Sequence, residues 1–235
     1  MIPISDDNPV RLTPYVNWAL IALCVLVFAY QFSLGLQGEQ LVISLGFVPA
    51  MLLHPQQTLA VVPAFPAALT IFTSMFLHGG FLHLGGNMLY LFIFGNNVED
   101  AMGHARYLLF YLVGGTAAAL TMAFVSPYSL IPMIGASGAI SCVLGAYVLL
   151  YPRAKVRVVV PWGFAIFYPF RIGAVWVVGF WFALQLFNAA FSDSTQPGVA
   201  WWAHVGGFIV GLLLTPLLKS DDIPLFGIPR RGPWG

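Results

Sequence analysis

Six long apolar segments, at about 17–36, 83–100, 105–126, 137–151, 172–191 and 201–218, limit this chain more than any other feature of its sequence. Crossing the roughly 30 Å hydrocarbon core of a bilayer takes about 20 mostly apolar residues in a helix. Only 7% of the 235 residues are charged and 60% are hydrophobic, whereas a soluble domain carries about 25% charged residues. The chain therefore lacks the charge to clothe a water-exposed surface, and it reads as an all-α, polytopic membrane protein. Its formal net charge of +1, with no basic run or RNA-binding signature, argues against a nucleic-acid partner. Cys24 and Cys142 both lie in apolar segments and imply no disulfide framework. The start, MIPISDDNPVRLTPYVNW, lacks the basic opening of a cleavable signal peptide, so the first apolar segment is expected to remain as an anchor. The stretch PWGFAIFYPF at 161–170 is too short to span and holds two prolines. It lies between Arg157 and Arg171 and is expected to be an interfacial loop.

Charge distribution orients the segments. With six spans and the N-terminus inside, Arg11, Arg106, Arg153, Lys155, Arg157, Arg171, Lys219, Arg230 and Arg231 all fall on the cytoplasmic side. The outer segments 37–82, 127–136 and 192–200 hold no Lys or Arg, a strong positive-inside pattern. This divides the chain into a cytoplasmic segment 1–16, a six-helix membrane domain 17–218 with a long first outer loop, and a cytoplasmic tail 219–235. Spans two, four and six then run in the same direction. His83 and Asn87 at the start of span two, Ser137 at the start of span four and His204 one turn into span six share a depth toward the outer leaflet. Span four has about 15 residues, roughly 22 Å at 1.5 Å per residue, so its start at Ser137 is expected to lie below the outer surface.

An ionisable imidazole within a membrane is costly and marks a functional or partnered position. A serine hydroxyl becomes a useful nucleophile when a base takes its proton, and histidine is the usual base. No Asp or Glu lies in the interior of any span, and Glu99 and Asp100 stand at the inner end of span two, away from the site, so Ser137 and His204 are expected to form a dyad without an acid. His83 and Asn87, at i and i+4, share a helical face. They could donate to an oxyanion, as could the backbone N–H of Ser137 at a helix start. Gly207 and Gly211 form the packing pattern G-x-x-x-G. With Gly138 and Gly145 they are expected to bring spans four and six together.

The stretches FTSMFLHGGFLHLGGNMLYLFIFGNNVEDAMGHARYLLFYLVGG, IGASGAI and WWAHVGGFIVG resemble the rhomboid family of intramembrane serine proteases, over most of residues 72–218. The family's H-x-x-x-N falls on His83 and Asn87, and its GxSG on Gly135 to Gly138. Its AHxxGxxxG falls on Ala203, His204, Gly207 and Gly211. The resemblance implies a six-helix rhomboid-like bundle with Ser137 as nucleophile and His204 as general base. It implies that His83 and Asn87 stabilise the oxyanion. Expected partners are transmembrane protein substrates and membrane lipid, with no metal or cofactor, in a bacterial inner membrane. It also suggests that aromatic span five (Trp176, Phe180, Trp181, Phe182, Phe187) forms a movable wall beside span two. Two positions depart from the pattern. Ser141 stands where many relatives have an aromatic residue stacked on the histidine, and Leu69-Thr70 where some have Trp-Arg. Trp201, Trp202 or span two could support His204 instead.

Among the remaining residues, His78 is expected to make a hydrogen bond within the first outer loop. His54 and His104 are expected to be interfacial, and Glu99 to pair with Arg106 or act as a cap. The polar segment 192–200 is expected to lie over the site as a flexible cap. Two rivals stand beside the protease: an inactive rhomboid-like client-binding protein, and a small transporter with His83, Asn87 and His204 lining a polar path. The former is expected to lack Ser137 or His204, and the latter to continue its polar residues toward the inner face. No HExxH zinc motif and no pair of intramembrane aspartates occurs.

Overall fold

The computed structural model describes residues 1–58, 65–162, 165–166, 169–192 and 198–227. In chain order it contains strand β1 (Ile2–Asp6) and helices α1 (Tyr15–Ser33), α2 (Leu36–Leu45), α3 (Pro49–Leu53), α4 (Pro55–Thr58) and α5 (Ala67–Thr73). A 3-10 turn at Ser74–Phe76 precedes α6 (Phe81–Tyr90), a π segment (Leu91–Gly95) and α7 (Asn96–Met102), which run on as one helix. Helices α8 (His104–Val125) and α9 (Ser137–Leu150) follow, then strands β2 (Lys155–Val159), β3 (Pro161–Trp162), β4 (Ala165–Ile166) and β5 (Phe170–Gly173). Helices α10 (Ala174–Phe191) and α11 (Trp201–Leu218) close the described fold.

This is a multi-pass membrane protein built as a helical bundle. Helices α1, α8, α10 and α11 are each long and apolar enough to cross a membrane. The continuous helix Phe81–Met102 joins them, bent by 83° from the stretch Ala67–Phe76 before it, and α9 is a shorter apolar helix. Leu26, Leu82, Trp176, Phe187 and Leu217 are all well exposed. An outer surface of that kind suits hydrocarbon, because helices satisfy their own backbone polar groups there. The buried face of α9 is completed by α8, α10 and α11, and every residue from Ala139 to Tyr147 is buried.

Buried polar side chains locate two irregularities. Asn17 of α1 donates to the carbonyl of Leu91 at 3.0 Å and accepts from the Tyr107 hydroxyl at 2.8 Å. That side chain reaches into the backbone ladder where the π segment begins, a recognised cause of helix distortion. A Cβ at Gly95 would lie 2.2 Å from Asn17 Oδ1, so only glycine leaves room for the wedge. At the same end, Glu99 accepts from the backbone N–H groups of Val16 and Asn17 at 3.0 and 2.7 Å and bonds His104 Nδ1. The carboxylate thus caps α1 across a tertiary contact, where a helix N-terminus favours negative charge. His104, and not Arg106, is its ion-pair partner.

The stretch 161–170, expected as an interfacial loop, holds the short pair β3–β4 and the first residue of β5, beside a small sheet. β1, β2 and β5 form an antiparallel sheet with β2 in the middle, and β3 pairs with β4. Register pairs Asp6 with Val156 and Arg157 with Arg171. Val156 and Val158 point into the core while Lys155 and Arg157 face out, the period-two pattern of a half-buried strand. Asp6 of β1 accepts the Tyr147 hydroxyl of α9, tying the N-terminal strand to the central helix. The N–H groups of Phe226 and Gly227 satisfy the carbonyls of Leu149 and Leu150 at the far end of α9.

At the opposite end, the long first loop braces the segment leading into α9. Phe47 and Met133 exchange two backbone hydrogen bonds of 3.0 and 2.7 Å, and the N–H of Gly135 donates to Ser74 O at 2.9 Å. Leu69-Thr70 lies within α5, with Thr70 buried and bonded to Ala67 O. Of the expected cap, residues 193–197 lie outside the described residues, as do Arg230 and Arg231.

Candidate active site

Ser137 is the first residue of α9, directly after a tight turn. Gly135 has φ +117°, a conformation that side-chain-bearing residues rarely adopt, and a Cβ there would lie 2.7 Å from His83 Nε2. Glycine at this position therefore both makes the turn and admits the His83 ring. His204, in the first turns of α11, lies with Nε2 2.8 Å from Ser137 Oγ. A hydroxyl hydrogen-bonded to an imidazole is an arrangement from which the ring can take the proton.

Close helix packing sets this distance. A Cβ at Gly207 would lie 2.2 Å from Gly138 O, one at Gly211 2.2 Å from Cys142 O, and one at Gly145 2.5 Å from Phe208 O. The α9 and α11 backbones are therefore in direct contact, as small-residue interfaces permit. Gly138 divides its surface between two neighbours: its carbonyl meets Gly207, while a Cβ on it would meet Ala118 of α8 at 2.6 Å.

His83 and Asn87 approach from α6. The backbone N–H of Gly79 donates to His83 Nδ1 at 3.3 Å. In the neutral ring this leaves Nε2 carrying the proton, facing Gly135. Asn87 Nδ2 is buried with no hydrogen-bond partner among the described residues, and lies 3.5 Å from where a Gly135 Cβ would be. Buried amide donors are ordinarily satisfied, so an orphan aimed at the Ser137 turn is a donor in waiting. These groups line a cavity of about 1300 Å³, together with Trp181 and Gln185 of α10.

Of the supports expected for His204, Trp201 packs against the ring, and Trp181 and Gln185 of α10 join it. Ser141 Oγ donates to Ser137 O at 2.7 Å, within its own helix. The His204 ring is instead flanked by Trp181, centroid 6.0 Å away, and edge-on by Trp201 at 6.1 Å. Gln185 Oε1 lies 2.8 Å from His204 Nδ1. Sequence reasoning passed over Gln185 among the aromatics of its span. The available signal was a polar amide in an otherwise apolar helix, which needs a partner when buried.

His78 bonds Phe76 O through Nδ1 at 3.2 Å, and its backbone is tied to Gln31 of α1. Its ring packs edge-on against His83 at 5.2 Å. His54 stacks on Tyr128, away from Ser137. Among the described residues no group of three His, Cys, Asp or Glu side chains could hold a metal ion.

Fold and cavity together define a polytopic membrane protein with a part-buried Ser–His pair beside one amide and one imidazole donor. Comparison with known proteins identifies the class: the rhomboid domain family matches residues 66–220, and the chain belongs to that family. Rhomboid protein 1, mitochondrial, of Saccharomyces cerevisiae is 32% identical over 149 residues, covering 62% of this chain and 40% of that protein. Rhomboid protease GluP of Bacillus subtilis is 30% identical over 167 residues, covering 70% of this chain and 27% of that protein. Rhomboid-like protein 11, chloroplastic, of Arabidopsis thaliana is 29% identical over 166 residues, covering 66% and 54% respectively. The chain thus spans only about a quarter to a half of the length of these curated relatives.

Proposed function

We propose that the chain is an intramembrane serine endopeptidase that hydrolyses peptide bonds in or near transmembrane segments of other membrane proteins. The observation that carries this reading is the 2.8 Å contact between Ser137 Oγ and His204 Nε2 inside a cavity also reached by an unpartnered Asn87 amide. Membership of a family that includes a named rhomboid protease supports it.

His204 Nε2 accepts the Ser137 proton as Oγ attacks the scissile carbonyl carbon. The carbonyl oxygen becomes an oxyanion, stabilised by His83 Nε2–H, Asn87 Nδ2–H and the free N–H of Ser137 at the start of α9. The His204 imidazolium then protonates the departing amine, leaving an acyl ester on Ser137. Water, deprotonated by the same ring, releases the carboxylate product and restores Ser137. No step calls for a metal or cofactor. Gly135, Gly138, Gly207 and Gly211 serve as packing support.

A peptide bond inside a spanning helix is shielded by its own hydrogen bonds, so substrates should carry a locally unstable helix with small or helix-breaking residues. The positive-inside pattern supports residues 1–16 and 219–235 in the cytoplasm, and similarity to a Bacillus subtilis protein supports a bacterial inner membrane. Ser137 then lies toward the outer leaflet.

Purified protein in detergent, given a labelled transmembrane substrate, tests the reading. Wild type should cleave it, whereas Ser137→Ala and His204→Ala should fall to background, and a fluorophosphonate should label Ser137 only in the wild type. Equal cleavage by all three proteins across varied substrates would remove the protease reading and leave the client-binding and transport alternatives.

A further inference from the structure

Gln185 is tied at both ends of its side-chain amide. Its Nε2 donates to Trp181 O at 3.0 Å, one helical turn back, and its Oε1 faces His204 Nδ1 at 2.8 Å. A backbone carbonyl can only accept, so the group against Trp181 must be the NH₂ and the group against His204 must be the oxygen. The reverse orientation would set two acceptor oxygens against each other. An oxygen facing Nδ1 requires that Nδ1 carry the proton. The tautomer of a histidine is set by the bond its other nitrogen makes.

We propose that Gln185 is the positioning residue that keeps His204 as the Nδ1–H tautomer, leaving Nε2 as the lone-pair nitrogen facing Ser137. This rests on the protease reading for its catalytic consequence, though not for the tautomer itself. It gives the dyad a third member that is neutral. An amide oxygen orients the ring and accepts from Nδ1–H, as a buried acid would, but brings no unpaired negative charge into the membrane, where charge is expensive. Gln185 is itself buried. Its amide is engaged by Trp181 O and His204 Nδ1, so it acts on the Ser137 hydroxyl through His204. Trp181 supplies two things to this arrangement: its ring flanks His204, and its backbone carbonyl fixes the amide.

The test uses full-length protein in detergent with ring-¹⁵N histidine, His204 signals being assigned by their loss in His204→Ala. Wild type should show a protonated Nδ1 and an unprotonated Nε2. Gln185→Met keeps bulk but offers no comparable acceptor, and should give a mixture of tautomers. Its kcat on a transmembrane substrate should fall on the order of 10²-fold, the scale of misplaced general-base catalysis, with KM and thermal midpoint little changed. Trp181→Phe removes the indole but keeps the carbonyl and should retain the wild-type tautomer. Gln185→Met with an unaltered tautomer, or one that loses activity only through KM or unfolding, overturns the proposal. The two readings separate cleanly. Wild type with the Nδ1–H tautomer and no Ser137-dependent cleavage retains the positioning role and discards the protease. Ser137-dependent cleavage with Gln185→Met unchanged in tautomer and kcat does the opposite.

Discussion

Gly207 and Gly138 meet backbone to backbone: a single added methyl on Gly207 would lie 2.2 Å from the Gly138 carbonyl oxygen. One residue from that contact stands Ser137, and three residues from it stands His204. The reach between hydroxyl and imidazole is therefore set by main-chain packing.

Gly207→Ala should accordingly separate α9 from α11 and lengthen the Ser137–His204 contact. Overpacking of this kind costs about 1–3 kcal/mol, and small misplacements at a reacting centre cost more in rate than in stability. Thermal unfolding and kcat measured on one preparation check this. A variant whose kcat falls no further than its folded fraction would contradict the assignment.

Asn87→Ala removes the orphan amide donor. Loss of one oxyanion donor costs about 10²–10³ in kcat, and the same is expected here with KM nearly constant. Because Asn87 Nδ2 has no partner to forfeit among the described residues, stability should not drop. A large fall in melting temperature with unchanged kcat would assign Asn87 to folding.

Glu99→Gln should weaken the cap on α1 without touching Ser137. The carboxylate serves two α1 N–H groups and His104, and hydrogen bonds to charged groups contribute about 1.5–3 kcal/mol each. The expected outcome is a lower unfolding midpoint with kcat preserved in the folded fraction. An unchanged midpoint would show that α1 does not depend on this contact.

Asp6 lends the N-terminal strand a pH dependence. Burial pushes its carboxyl up from 3.8 to about 6, with Asp7 adding to the rise and the Tyr147 hydroxyl opposing it. A folded-state value above the unfolded one means that the fold binds the proton more tightly. Its contribution is thus full below about pH 4 and is lost as pH rises through about 6. Relative to Asp6→Asn, the wild-type melting temperature should decline across that window and then run parallel. Superimposable curves from pH 4 to 8 would exclude the linkage.

Apolar length and basic-residue placement made the spans readable from the sequence, because both follow from the bilayer. Every expected span overlaps an observed helix, but the outer loop 37–82 also holds short helices, α3 to α5 among them, which the lack of a span-length apolar run conceals. The sheet was missed because its alternation, K-V-R-V-V, lasts only five residues and its partner strand lies near the N-terminus. Glu99 is a cap, one of its two expected roles, but its ion-pair partner is His104 and not Arg106, and no local pattern announces a cap made across 82 positions. Ser137, His204, His83 and Asn87 stood out as polar groups in apolar surroundings. Gln185 has the same character, but it sits in a span dominated by aromatic residues.

The direct contact of α9 with α11 also bears on how such a chain can diversify. Two main chains in contact leave no side chain between them to vary, so the reacting pair is insulated from drift in its neighbours. On the protease reading, freedom to accept different polypeptides then resides in other walls of the cavity, at side chains such as Ile71 of α5, Met122 of α8 and Ala189 of α10. New preferences can be sampled there one substitution at a time, while the hydroxyl and the imidazole keep their separation.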